Sequence, residues 1–319
     1  MNENNADKKL FDLTRVIRAN PRQKLSEKIM NKAAFLLTVI FLFSLNSLAQ
    51  NDKKTKRSLA QLQSEATSAR PDGKDFIFTI KGFAYSFIPG ERPQKLFGVE
   101  GYNIRRRVET PEKDGYFVAT REIVFYKDPK TDEIISSWEN LWTKEKVEVF
   151  HIQNDPVNFR TRVKDGKYVS VSIDGKREFG EASMPEDFGN YLVWNSDVFP
   201  FYPLSGFDKN YTAAELFDFY VPKDELNKTT APQNVYVSWT RVGPWLPWMK
   251  MNRTDGVMIF HARSQRLESF NDLPERIKKE VREKYPVYTT APERVDPGVP
   301  NETSWTFYNR VMEERRKKN

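Results

Sequence analysis

RTRVKDGKYVSVSIDGKREFG, residues 160–180, decides the fold class. Two Asp-Gly pairs, at 165–166 and 174–175, interrupt runs rich in Val, Tyr and Ser. Asp-Gly suits the left-handed backbone of a tight hairpin turn, so the stretch reads as strand, turn, strand, turn, strand.

The same pattern extends outward. DFIFTIKGFAYSFIPG (75–90) is aromatic and ends in a Pro-Gly turn signal. LFGVEGYNIRRRVE, YFVATREIVFY and EIISSWEN follow. KDPKTD (127–132) reads as a hairpin loop, because Pro129 fixes φ and the Asp side chains can accept from nearby amides. KVEVFHIQND, VYVSWTRVGP (235–244) and GVMIFHARS (256–264) read as further strands. Thr212–Tyr220, TAAELFDFY, reads as a helix capped by Thr212 with Glu215 three residues on. LPERIKKEVREKY (273–285) places Leu273, Ile277 and Val281 on one helical side. WTFYNRVMEERRKK closes as a basic helix. About nine strands and three helices, mostly joined as hairpins, predict a mainly β protein. The expected form is a large antiparallel sheet, strongly curved or closed into a barrel, with peripheral helices. The 23 Phe, 13 Tyr and 7 Trp could fill its interior.

The charge of +7 suggests a polyanion partner until it is located. The first 49 residues hold eight basic and four acidic residues, so the remainder keeps 43 of the 51 basic and 40 of the 44 acidic ones. So even a balance predicts no nucleic-acid partner. MNKAAFLLTVIFLFSLNSLAQ (30–50) carries Lys32, an apolar run and Ser47-Leu48-Ala49, the marks of a signal peptide cleaved after Ala49. The run is shorter than the about 20 residues of a membrane span. The expectation is a periplasmic or secreted protein, free of the membrane after cleavage, with translation starting at Met30 and residues 1–29 a non-native extension. Residues 50–74 read as a polar linker or flap with room for a short helix at 57–66. Residues 75–292 are the β-rich core, and 293–319 a tail with its helix. The chain has no cysteine, which excludes disulfides and thiolate chemistry. The Asn-x-Thr triplets at Asn210, Asn227, Asn252 and Asn301 then read as chance matches.

Several stretches resemble the bacterial domain of unknown function 1838. They are GVEGYNIRR (98–106), REIVFYKDPKTDEIISSWEN (121–140), KVEVFHIQNDPVN (146–158) and PWMKMNRTDGVMIFHARSQRLESFNDLPERIKKEVREKYPVYTTAP (247–292). They keep the family's order. The resemblance implies no catalytic residue, because the family is uncharacterised.

Strand alternation assigns faces. In GYNIRRRV the set Tyr102, Ile104, Arg106 and Val108 is the better core face, which turns Arg106 inward with Glu100. In FVATREIVFY the set Val118, Glu122, Val124 and Tyr126 competes with Phe117, Arg121, Ile123 and Phe125, and the first brings Glu122 inward. In KVEVFHIQ, Val147, Val149 and His151 face in, and in GVMIFHAR His261 joins Val257 and Ile259. These groups form either an inert Arg-Glu-His network or a functional pocket. As a binding pocket it has His151 as its polar centre and Arg106 for anion recognition; in the enzyme alternative His151 or His261 is the general acid/base, oriented by Glu100 or Glu122. Asp155 and Asn158 would sit at its rim. PWLPWMKM, stiffened by Pro244 and Pro247, offers Trp245 and Trp248 for stacking and Lys250 for an anion, or packs as a lid.

No phosphate-binding glycine loop and no nucleophile elbow occurs, so neither nucleotide binding nor serine hydrolysis is expected. The spacing of His151, His261 and the Glu residues does not call for a metal, and no cofactor is expected. The function expected is binding of a small organic ligand in a concave pocket. The alternatives are a cofactor-independent hydrolase, lyase or isomerase, or a structural envelope protein.

Overall fold

The computed structural model describes residues 57–68, 70–181, 183–203 and 210–318. The segment at 30–49 expected to be a signal peptide, and the stretch before it expected to be a non-native extension, lie outside the described residues.

The chain is mainly β. Twelve strands form one antiparallel sheet. In chain order its members are β1 (Phe76–Phe87), β2 (Lys95–Glu109), β3 (Gly115–Lys127), β6 (Ile152–Asn154), β7 (Phe159–Lys164), β8 (Lys167–Val171) and β9 (Glu178–Glu181). After them come β10 (Glu186–Phe188), β11 (Tyr191–Val198), β14 (Ala214–Pro222), β15 (Tyr236–Gly243) and β16 (Val257–Leu267). Two short ribbons stand apart. They are β4 (Ser137–Glu139) with β5 (Lys146–Glu148), and β12 (Phe201–Pro203) with β13 (Asn210–Thr212). The spatial order is β10-β11-β14-β15-β16-β1-β2-β3-β7-β8-β9, with β6 on β3. β16 therefore closes the chain back onto β1. No pairing among the described residues joins β10 to β9, so the ladder is open.

The turns follow their residues. Asp165 and Gly166 both have positive φ, 51° and 74°, between the paired ends Lys164 and Lys167. That is the mirror-image turn whose twist matches two antiparallel strands. At 127–132, Asp128 Oδ1 accepts from the amides of Lys130 and Thr131, at 2.7 and 3.0 Å.

Among the described residues three α-helices pack on the sheet: α1 (Leu59–Thr67), α2 (Glu275–Lys284) and α3 (Ser304–Lys318). Phe76, Phe78, Tyr116, Val118, Trp194 and Phe219 on one face meet Leu62 and Ala66 of α1. Further along that face, Phe97, Tyr126 and Phe260 pack with Trp248, Met249 and Trp305 of α3. The opposite face carries Ile77, Tyr102, Ile104, Ile123 and Phe125 under Ile277 and Val281 of α2. β2 and β3 are thus buried on both sides.

The short helix expected at 57–66 is present as α1, which buries Leu62 to Thr67. Two expectations are corrected. TAAELFDFY is no helix but the body of β14, paired to β11 and β15 along its length. Its burial alternates, Glu215, Phe219 and Val221 in and Leu216 out, a period of two that capping logic overlooked. KVEVFHIQND is not one strand. It breaks into β5 and β6, with Val149, Phe150 and His151 in the gap and all three buried.

Candidate functional site

Between the two apolar clusters of the first face lies a hollow of about 120 Å³. Its polar centre is built from strand register. Glu122 of β3 stands opposite Asn103 of β2 on one side and Asn154 of β6 on the other. Arg105 is two residues from Asn103 on the same face, a diagonal neighbour of Glu122. Asn154 Nδ2 donates to Glu122 Oε1 at 3.0 Å. Arg105 donates from Nε to Asn103 Oδ1, and from Nη1 to the carbonyl of Thr67 at 2.8 Å, where α1 ends. Its guanidinium lies over the rings of Phe78 and Phe159, at 5.0 and 5.5 Å.

The other wall comes from β14 and β15. Glu215 and Arg241 are register partners and a buried ion pair, Nε to Oε1 3.5 Å. Arg241 also donates to the Tyr211 hydroxyl, and its guanidinium lies 5.2 Å from the ring of Trp305. Tyr126, Phe217, Trp239, Arg263 and Ser264 are among the other residues that line it.

Electrostatics follows from enclosure. Burial, reinforced by the charge of Glu215, raises the Glu122 carboxyl to about 7, against the pull of Arg105. Glu122 keeps part of its surface open toward the hollow. Burial also raises Glu215, with Arg241 acting against it. Arg105 is lowered to about 10 by burial and stays cationic at neutral pH. Polar atoms around the hollow with no hydrogen-bond partner among the described residues include the Tyr126 hydroxyl, Asn154 Oδ1 and Ser264 Oγ. Tyr126 is 0 % and Asn154 4 % exposed. Orphaned polar atoms at such depth are costly unless a water or a guest completes them.

Of the ten residues singled out from sequence, Glu122 alone lines this hollow. His151 is 8 % exposed but lies outside it, edge-on to Phe125 at 5.2 Å. Its Nδ1 accepts the Tyr126 amide at 3.2 Å, and burial lowers it to about 4, a neutral core histidine. His261 is exposed on the opposite face, where it meets Thr240 Oγ1 at 3.1 Å and borders a second cleft with Lys81, Phe83 and Arg263. The two histidines do not share a site.

Glu100 and Arg106 face α2 instead. Glu100 receives Lys127 Nζ at 2.6 Å and also Arg276, and Arg106 donates to Asp75 at 2.6 Å. Asp155 accepts from Arg121 Nε at 2.9 Å. Asn158 is a buried tie, accepting the Thr120 amide at 3.0 Å and donating its own amide to Asn301 at 2.7 Å. Trp248 is packed at 2 % exposure against Phe97 and Tyr126. Trp245 donates to the Asp255 carbonyl at 3.0 Å, and Lys250 pairs with Glu145 at the surface.

Sequence reasoning missed Asn103, Arg105, Asn154, Glu215 and Arg241. β2 is buried on both faces, so its apolar side named the wrong hollow. Val237, Trp239 and Arg241 did alternate in VYVSWTRVGP, the one signal that could have located the site's far wall.

Among the described residues no helix is long and apolar enough to cross a membrane. A protein-family model described as a protein of unknown function, DUF1838, matches residues 73–312. No curated protein matches the chain.

Proposed function

The chain belongs to this family of unknown function, and we propose that it is an exported protein that holds a small organic molecule in the hollow between Glu122 and Arg241. The observation that carries this reading is the set of unpartnered atoms around the space: Tyr126 hydroxyl, Asn154 Oδ1 and Ser264 Oγ. Concave pockets lined by apolar side chains with a few convergent polar groups are the ordinary form of ligand sites. A cavity of comparable size takes one aromatic ring.

A concave sheet is part of the proposal. It is supported by the ring of Tyr126 on β3 lying 6.4 Å from Phe260 on β16, although β2 and β1 run between them. A flat sheet separates strands three apart by about 14 Å. Export rests on the composition of residues 30–50.

One observation favours a second reading, catalysis. Glu122 is raised to about 7 and opens on the hollow, so it could exchange a proton with a bound molecule near neutral pH. In that reading the acid/base is Glu122 rather than His151 or His261. A thermal-shift screen of the full chain against metabolites tests both readings. A binder gives a raised melting temperature without product, an enzyme gives product that Glu122→Gln abolishes, and an inert envelope protein gives neither.

A further inference from the structure

We infer that the molecule taken by this hollow is a small organic anion, its charge meeting the Arg105 guanidinium and its apolar body lying among Phe78, Phe159, Phe217 and Trp239. This rests on the reading of the hollow as a binding site.

The argument starts from how the buried arginines are neutralised. Arg57 pairs with Glu65 at 3.0 Å, Arg160 with Asp114 at 3.2 Å and Arg241 with Glu215 at 3.5 Å. Arg105 has no carboxylate within 4.0 Å among the described residues; its acceptors are an amide oxygen and a helix-end carbonyl. Arg266 is buried and similarly unpaired, but it does not line the hollow. Arg105 does, and its Nη2 makes no hydrogen bond within the described protein. A guanidinium presents five donors in a fixed plane, and a carboxylate is the partner that fits them in pairs.

The neighbouring carboxyl does not remove this preference. Of the two carboxyls lining the hollow, Glu215 is paired with Arg241, and Glu122, the diagonal neighbour of Arg105, is held partly protonated near neutral pH by burial and by the charge of Glu215. A protonated Glu122 leaves the Arg105 charge uncancelled and can donate to an incoming oxyanion. An anion would therefore bind together with a proton on Glu122, whereas a cation or neutral guest would leave the guanidinium unmet. The two rings already flanking Arg105 extend the site into an apolar wall suited to a planar body.

The test is calorimetric titration of the full chain with benzoate, benzamide and benzylamine, three probes of one shape and different charge. Benzoate is expected to bind, benzamide at least roughly tenfold more weakly, and benzylamine not measurably. Above about pH 7 benzoate affinity should fall, by up to roughly tenfold per pH unit, as Glu122 ionises. Glu122→Gln, which cannot ionise, should flatten that profile whatever its affinity at neutral pH, which also locates the probe in the hollow. Arg105→Lys is the less informative variant, because Arg105 also ties down the end of α1. Equal or tighter binding of benzamide or benzylamine overturns the inference. So does a wild-type benzoate profile that is flat with pH, or no benzoate binding. If benzoate fails while a neutral metabolite stabilises the protein, the hollow still binds ligands and only the anion is lost. If nothing binds, both readings fall.

Discussion

The imidazole Nδ1 of His151 accepts the backbone amide of Tyr126 at 3.2 Å, which fixes the proton on Nε2 and makes the ring a structural acceptor between β3 and the loop that follows β5. His151→Asn should be tolerated, since the Asn oxygen can take the same amide. His151→Leu leaves that amide orphaned and should cost about 1–3 kcal/mol, measured by urea denaturation.

The same residue sets a pH dependence. Its folded pKa of about 4 lies below the ordinary 6.5, so the neutral ring favours the fold above about pH 6.5. That contribution is lost as pH falls from about 6.5 toward about 4, because only the unfolded chain gains the proton there. His151→Asn should therefore lose less stability than wild type over that window, read from melting temperature against pH.

Glu122 acts in the opposite direction. Its pKa is raised from 4.5 to about 7, so between those values the folded state binds more protons than the unfolded one. Wild-type stability should decline across that window relative to Glu122→Gln, and the gap should level off above about pH 7. At full ionisation the gap should be at most about 3 kcal/mol, reduced by water in the hollow. Paired denaturation series at several pH values would check it. A gap that shrinks as pH rises would show that Glu122 is stabilised as a carboxylate.

How much of this could be read from the chain depends on how many layers cover each strand. The hairpin at Asp165-Gly166, the loop at 127–132 and the buried stripe of α2 were legible, because each is decided by local backbone chemistry or by one apolar side. The site was not. Arg106 was favoured over Arg105 because Tyr102 and Ile104 mark an apolar face, and that face is the one under α2. Glu215 was hidden by a capping pattern in a segment that the sheet claims as β14. Trp248 looked like a binding residue because a short loop does not reveal that β3 and β2 lie beneath it.

Asn140 shows a polar residue doing structural work at the loop joining β4 to β5. Its side chain accepts the amides of Trp142 and Thr143, at 2.8 and 3.0 Å, and donates to the Met249 carbonyl at 2.8 Å. It is 0 % exposed. Asn140→Ala should destabilise by about 2–3 kcal/mol. Leu141→Ala, next to it and 44 % exposed, should stay within about 0.5 kcal/mol. Chemical denaturation of both separates the buried tie from its exposed neighbour.

The terminal helix divides into two sides that should respond differently. Trp305 is 5 % exposed, edge-on to Tyr211 at 4.9 Å, beneath the guanidinium of Arg241, and it lines the hollow. Trp305→Ala removes a large ring from the first face and should cost about 3–5 kcal/mol. It should also weaken any ligand of the hollow, because Arg241 loses the ring that holds it beside Glu215. Arg315 on the same helix pairs with Glu148 at 2.6 and 2.9 Å, but both side chains are about half exposed. Solvent screens such a pair, so Arg315→Ala should change stability by less than about 1 kcal/mol. If the two variants cost the same, α3 is held by its charges rather than by its apolar stripe, and the hollow has no lid on that side.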